Sequence, residues 1–376
     1  MNHVLLVSDQ PMPNFLPILN AEMKPDSVTL VVSHKMRQRA EWLKSEIKKH
    51  QVQVLSDIEL GDDVSDINTI QGVLMGWADN NKDLFNQSIL NVTGGTKPMA
   101  IAAQEAFRMG GRPVFYIDIA TDNVTWLNNE KASFVLSNQP TLKQYLGLSG
   151  ITIESGDFKS EIDNEKWRHF YNEVSRAPQK WASTIRALNK IAKQAEDDKT
   201  NNFEVSDDIL ALPSWSEMSE MLHADELVRY KESGLREAFY SEEARRFCNG
   251  IWLEHYVFAL LKEEFGFDKK RALMNVKILD AKGNRNELDT IVLHKNTCYI
   301  IEDKTKNMSP KGAADMAVYK LAQLSAKMGL RAKGILVSAL SVRSVDKERA
   351  RAYNVDVIDW LPDLENNFRR IFGIVD

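Results

Sequence analysis

The stretch Asn286-Glu287-Leu288-Asp289-Thr290-Ile291-Val292-Leu293-His294-Lys295-Asn296-Thr297-Cys298-Tyr299-Ile300-Ile301-Glu302-Asp303-Lys304 decides how this sequence is read. It predicts two β-strands and a tight turn. Leu288, Thr290 and Val292 alternate with Asp289, Ile291 and Leu293, and Cys298 to Ile301 is an apolar, β-prone run. Lys295-Asn296 is the expected turn, because asparagine tolerates the positive φ of two-residue hairpin loops. With those two residues as the loop, His294 faces Thr297, Asp289 faces Glu302 and Glu287 faces Lys304. Facing side chains of an antiparallel pair stand roughly 5 Å apart. The strand period of two puts Glu302 and Lys304 on one face, with Asp289 beside them. A slip of one residue would undo this meeting.

Two carboxylates and an ammonium at one strand end imply a chemistry. Carboxylates this close repel unless a cation lies between them, and oxygen-rich sites with few ligands suit Mg²⁺ or Mn²⁺. Such an ion lowers the pKa of water and polarises a phosphodiester. Lys304 would orient the attacking hydroxide or neutralise the charge building on phosphorus. The same residues also suit a solvated hairpin with cross-strand ion pairs, since Glu-x-Lys is common. Two features weigh against that. The acidic strand is flanked by very apolar sequence, and the helix-like run 250–262 carries Glu254 within an otherwise apolar surface.

The order of these parts is an acid on a helix, Asp on a strand, Glu-x-Lys on the next strand, then a helix. It resembles that of the PD-(D/E)xK restriction-endonuclease-like nucleases. The resemblance makes Glu254, Asp289, Glu302 and Lys304 the catalytic set. It implies that Asp289 and Glu302 hold the divalent ion, with the Asp303 carbonyl as a further ligand, and that Glu254 positions a second ion or a water. Products with 5′-phosphate ends are the corresponding expectation. Leu288 stands where that family has its proline.

At 376 residues the chain has room for two or three domains. Its 43% hydrophobic and 27% charged residues are those of a soluble globular protein. No run approaches the ~18 apolar residues of a membrane-spanning helix. The start, Met1 to Ser8, lacks the basic region of a signal peptide and reads as a first buried strand. Cys248 and Cys298 have no metal-like spacing, so a reducing cytoplasm is the expected compartment. A net charge of −5 argues against strong duplex binding by overall charge, though not against a local basic groove.

From the start to about residue 140, short apolar strands alternate with amphipathic helices. Strands are expected at 3–7, 28–33, 52–55, 88–92, 113–118 and 124–127, and helices at 35–49, 66–77 and 97–109. That alternation predicts a doubly wound, mostly parallel sheet, with ligands at the carboxyl ends of its strands. Two strand-to-helix loops stand out, Val7 to Asn14 and Asn91 to Met99. In the second, Gly94 and Gly95 let the backbone approach a ligand, Thr96 caps, Pro98 suits a first helical turn, and Lys97 adds charge to the phosphate-binding amides of a helix N-terminus. The loop is neither a Walker A loop nor Gly-x-Gly-x-x-Gly, which disfavours an NTPase or a dehydrogenase.

The run Asn-Val-Thr-Gly-Gly-Thr-Lys-Pro-Met in a Rossmann-like domain resembles the CRISPR-associated Rossmann fold (CARF) sensor. Joined to a PD-(D/E)xK domain, the chain resembles the CARF-nuclease effectors of type III CRISPR immunity. The resemblance implies a homodimer that binds a cyclic oligoadenylate, usually cyclic tetra-adenylate, across its two-fold axis and then cuts RNA, DNA or both. It places Thr93, Gly94, Gly95, Thr96 and Lys97 around the ligand, with Ser8, Gln10 and Asn14 from the first loop.

The expected partition is a sensor over 1–145, a small helical or winged-helix connecting segment over 146–235, and a nuclease of mixed α/β fold over 236–376. In the middle, 157–174 and 177–196 read as helices, with Trp181, Ile185, Leu188 and Ile191 on one face. A helix at 315–328 would present Lys320, Gln323 and Lys327 together, toward a phosphate backbone or toward solvent. His255 reads as structural and His294 as solvated. Two alternatives share this architecture. One is a non-enzymatic regulator binding DNA or protein through the middle segment. The other is a ring nuclease in which the sensor degrades its own cyclic ligand.

Overall fold

The structure is a computed structural model and describes residues 1–62, 64–128, 131–158, 165–230, 237–308, 310 and 312–374. The first apolar runs form β1 (Asn2–Leu6), β2 (Ser27–Val32), β3 (Gln53–Val54), β4 (Ile58–Glu59), β5 (Ser88–Asn91) and β6 (Val114–Asp118), all parallel to their neighbours. β7 (Asn123–Trp126) and β8 (Phe134–Val135) add an antiparallel edge. The order is β3-β2-β1-β5-β6-β7-β8, with β4 also on β2. The chain therefore leaves β1 toward one edge and returns at β5 to build the other. The loops after β1 and β5 lie side by side at this reversal, where doubly wound sheets bind ligands.

The helix Met12–Leu19 occupies part of the stretch expected to be the first loop. Pro11, Pro13 and Pro17 look like breakers, but Pro13 lies in the first turn, where no N–H is needed. Pro17 inside the helix frees the Pro13 carbonyl, and Asn91 Nδ2 donates to it at 2.9 Å. The other sensor helices begin within a few residues of expectation, and Lys97–Met109 starts at its Thr96 cap, whose hydroxyl accepts the Met99 amide.

After the sensor comes β9 (Thr152–Asp157), then the helices Glu165–Arg176 and Pro178–Asp197. Of the helix expected over 157–174, the part at 159–164 lies outside the described residues, as does the expected boundary at 235/236. β10 (Asn202–Phe203), the helices Asp207–Leu210 and Trp215–Ala224, β11 (Val228–Tyr230) and β12 (Glu237–Phe239) complete the middle. β12 pairs with both β10 and β11. Helix–strand–helix–helix–strand–strand with this pairing is the order of a winged helix. Trp181, Ile185, Leu188 and Ile191 are buried together against the helix Trp252–Glu263 and its neighbours.

The last sheet contains β13 (Ala272–Leu279), β14 (Arg285–His294), β15 (Thr297–Lys304), β16 (Ala332–Ser338) and β17 (Val355–Ile358), in the order β17-β16-β15-β14-β13-β9. Its outer strand β9 thus comes from before the winged helix. Lys295 and Asn296 have φ of 45° and 58°, the two left-handed residues of a type I′-like hairpin turn. His294 pairs with Thr297, and the ladder runs to Thr290 opposite Ile301, in the register read from the sequence.

One continuous apolar core reaches from sensor residues such as Phe15 and Tyr145 to Leu288, Ile300 and Leu321. Polar bonds cross the same seam. Asn296, fully buried, donates its side-chain amide to Asp122 at 2.6 Å, and Arg331 donates to the Ile119 carbonyl at 2.6 Å and to the Thr297 hydroxyl at 3.3 Å. Asp9 to Met12 of the first sensor loop line a small cavity with Asn296 and Gly329 to Arg331.

Candidate active site and sensor site

The hairpin brings its acidic and basic side chains together. Lys304 Nζ lies 2.7 Å from Glu302 Oε1 and 3.7 Å from Asp289 Oδ2, and Asp289 Oδ2 accepts the Asp303 amide at 2.8 Å. Glu302 Oε2 receives a second ammonium, Lys320 Nζ, also at 2.7 Å. The Glu302 side chain is only 7% exposed, so these are partners within a desolvated site and not surface ion pairs.

Electrostatics divides the carboxylates. Burial pushes Glu302 up, but Lys304 and Lys320 outweigh it and hold the carboxyl below its ordinary value. Asp289 is raised, first by burial. Glu254, on the helix Trp252–Glu263, is raised to about 8 by burial and by the charge of Asp289. Asp303 is raised well above the usual range by burial and by Asp289 and Glu254. Burial lowers Lys304, yet Asp289 and Glu302 overcome that and raise it. Lys304 is therefore held as a cation beside the two carboxylates.

Two expectations need correction. Glu287 does not meet Lys304: it pairs with Lys277 at 3.4 Å in the β13–β14 register, because Lys304 turns inward to Glu302. His294 is not solvated. It packs on Phe267 and Phe372, and burial lowers its pKa to about 4. The Asp303 carbonyl accepts from Lys304 Nζ at 3.1 Å, and both side-chain oxygens are buried without a hydrogen-bond partner. His255 is buried, as its apolar helix implies, with a pKa lowered to about 4.

Lys320 was expected on a shared face with Lys327, toward phosphate or solvent. Instead Lys320 joins the acidic cluster of the hairpin and Lys327 pairs with Asp280 at 2.9 Å. Only the packing of the helix Asp315–Met328 on the sheet decides this, and no local spacing shows it.

At the sensor's reversal point the side chains behave differently. Asn14 is fully buried. It donates to the Leu6 carbonyl at 2.8 Å and accepts from Asn91 at 3.2 Å, so it ties the two loops together and does not face a ligand. Thr93 donates to Asn91 Oδ1 at 2.7 Å and accepts the Ile117 amide at 2.8 Å. A Cβ on Gly94 would collide with the Leu6 carbonyl oxygen, and Gly95 has φ of +75°, so close loop packing requires both glycines. Ser8 bonds the Gln10 backbone at 3.3 Å. Gln10, Thr96 and Lys97 are exposed, and Lys97 begins a 13-residue helix.

A Rossmann-like sensor fused to an acidic, lysine-bridged hairpin site is the plan of a sensor–nuclease. Residues 2–145 match the family model of the Card1 CARF domain, and residues 241–373 match that of the Card1-like endonuclease domain. The chain belongs to the Card1-like CARF endonucleases. A search of curated proteins finds no match. Among solved structures, protein VC1899 from Vibrio cholerae is 23% identical with a TM-score of 0.86, covering 99% of this chain and 98% of that one. Can2 from Sulfobacillus thermosulfidooxidans, in complex with cyclic tetra-adenylate, is 25% identical with a TM-score of 0.82 over 99% and 97% of the two chains. A type III CRISPR defence DNA nuclease activated by cyclic oligoadenylate shares the fold at 16% identity and a TM-score of 0.57, over 98% of this chain and 52% of that one.

Proposed function

We propose that this chain is a metal-dependent nuclease of the PD-(D/E)xK type, switched on by cyclic oligoadenylate, cyclic tetra-adenylate above all, in type III CRISPR defence. The observation that carries this reading is the joining of Asp289, Glu302 and Lys304 at the end of one hairpin, with Glu254 of the helix Trp252–Glu263 lining the same cavity as Asp289.

A divalent cation fits these residues. Asp303 has two buried, unpartnered carboxyl oxygens, and Glu254, Asp289 and Asp303 are all raised, first by burial and then by the neighbouring carboxylates. Among the described residues no three ligands are already gathered as a metal cage, and Lys304 bridges the two hairpin carboxylates instead. Asp289, Glu302 and Asp303 would hold Mg²⁺ or Mn²⁺, with Glu254 positioning a second ion or a water. When bound, the ion supplies a Lewis acid that activates water and polarises the phosphodiester. Lys304 keeps its proton and stabilises the negative charge of the transition state. Lys320 fixes the Glu302 carboxylate.

The sensor would bind its anionic ring through the amides at the start of Lys97–Met109, with Lys97 and Thr96, and a two-fold ring calls for a two-fold homodimer. The seam bonds of Asp122, Asn296 and Arg331 join the sensor to the turn of the catalytic hairpin and are the path by which ligand alters that hairpin. As a regulator that reads duplex DNA the chain is poorly equipped. The helix Trp215–Ala224, in the recognition position of the winged helix, carries Glu217 and Glu220 and no Lys or Arg. Glu302→Ala and Lys304→Ala should lose cleavage while keeping ligand affinity. Retained cleavage would refute the site.

A further inference from the structure

The ladder between β14 and β15 ends at the pair Thr290–Ile301, one residue short of Glu302. Past that pair, the backbone that carries Glu302, Asp303 and Lys304 is held along its other edge. β16 runs beside it as far as Ser338 opposite Lys304, and the Ala339 amide donates to the Lys304 carbonyl at 2.9 Å. On the β14 side a side chain replaces the ladder, with Asp289 Oδ2 accepting the Asp303 amide. Catalytic groups act only when held within about 0.5 Å of their productive geometry, so a strand end that has parted from one neighbour needs support from elsewhere.

The connecting segment supplies it. Asn189, in the helix Pro178–Asp197, donates its side-chain amide to the Thr305 hydroxyl at 3.0 Å and to the Thr305 carbonyl at 3.5 Å. Thr305 is buried and directly follows Lys304. A carbonyl only accepts, so the amide nitrogen must face Thr305, and the amide oxygen is left buried without a hydrogen-bond partner. Asparagine favours caps and turns over helix interiors, and a half-buried one beside the buried Ile185, Leu188 and Ala192 serves neither the helix nor its core. The same hydroxyl is met from a third side. In the wide π-helical turn Phe247–Ile251, Gly250 has φ of +116°, and a Cβ there would collide with Thr305 Oγ1. Such turns are frequent at functional sites, and this one leads into the helix that carries Glu254. One hydroxyl thus joins the end of β15, the approach to Glu254 and the connecting segment.

We propose that Asn189 is a positioning residue of the nuclease centre. By holding Thr305 it fixes the end of β15, and with it the Lys304 ammonium between Glu302 and Asp289. Asn189 itself touches no reacting group and acts through Thr305. The connecting segment is then a part of the catalytic frame as well as a spacer. This deepens the nuclease reading and rests on it.

The test uses the full chain with cyclic tetra-adenylate and Mn²⁺, cutting a short fluorescent single strand at a temperature where a thermal melt shows each variant folded. Asn189→Ala should lower kcat about 10- to 100-fold and leave KM and the affinity for cyclic tetra-adenylate within about twofold of the natural chain. Asn189→Leu, close in size but without a donor, should match it, which separates the hydrogen bond from the filling of space. Thr305→Ala should give the same loss, and Thr305→Ser, which keeps the hydroxyl, should recover most of it. Asn189→Ala combined with Thr305→Ala should be no slower than the slower single variant, because both remove one bond. A loss in KM instead of kcat, losses that multiply in the double variant, or a natural kcat in both Asn189 variants would each overturn the proposal. Lys304→Ala, run in parallel, tests the reading beneath it. Should Lys304→Ala cleave at the natural rate, the nuclease centre itself is misplaced. Should it be inactive while both Asn189 variants keep the natural kcat, only the positioning role is refuted.

Discussion

At the ends of β1 and β5, Asn14, Asn91 and Thr93 are consumed by bonds within the loop pair, and what remains exposed is Gln10, Thr96 and Lys97 at a helix start. At the end of the β14–β15 hairpin the balance is reversed. Glu254, Asp289, Glu302 and Asp303 are crowded out of water, and Lys304 and Lys320 meet only part of their charge. One strand-end site is a rigid mould with little charge of its own, and the other is a charged centre held by a rigid sheet. The contrast teaches where substitutions should act. In the mould they change fit and folding, and in the centre they change chemistry.

The largest effect is expected in the centre. Glu302→Gln or Lys304→Ala should lower cleavage by about 10²–10⁴-fold, checked by single-turnover kinetics at a temperature where a thermal melt shows the variant folded. In the mould the expectation inverts. Gly94→Ala drives a Cβ into the Leu6 carbonyl and should destabilise the chain by about 1–3 kcal/mol, read from denaturant unfolding, although no reacting group is touched. Lys97→Ala should weaken cyclic tetra-adenylate binding by about tenfold in calorimetry, the loss of one charged hydrogen bond, while activity at saturating ligand returns. Asn296→Ala removes the bond to Asp122 and should cut the activation ratio by about 2- to 20-fold, leaving ligand affinity of the isolated binding step nearly unchanged.

Furthest from both sites is an effect on pH dependence. His3 is buried in β1 with neither ring nitrogen bonded, and burial lowers its pKa to about 3. Its contribution is fully present above the unfolded value near 6.5 and is lost as pH falls toward 3, because only the unfolded chain takes up the proton. His3→Leu should flatten that acid limb in melts recorded between these limits. An unchanged limb would assign it to other groups, His255 and His294 among them.

The hairpin was legible because a two-residue turn and a strand period of two leave one register, and the core side of β14 permits no slip. The doubly wound sheet was legible from short apolar runs between helices. What stayed hidden depends on partners far along the chain. The helix Met12–Leu19 survives Pro17 only because Asn91 takes the Pro13 carbonyl. β9, Thr-Ile-Glu-Ser-Gly-Asp, has little strand character of its own and exists as the edge partner of β13. Lys320 reaches Glu302 only once its helix is laid on the sheet. Asn14 looked like a ligand donor because a loop sequence does not show which of its side chains turn inward.

The central claim is that Asp289, Glu302 and Lys304 form a nuclease centre commanded from the sensor. Its most direct measurement is cleavage of a fluorescent single strand in Mn²⁺, with and without cyclic tetra-adenylate, by the natural chain and by Lys304→Ala. The account predicts rapid cleavage only by the natural chain and only with the cyclic ligand. Cleavage by Lys304→Ala at the natural rate, or a natural rate indifferent to the ligand, would contradict it.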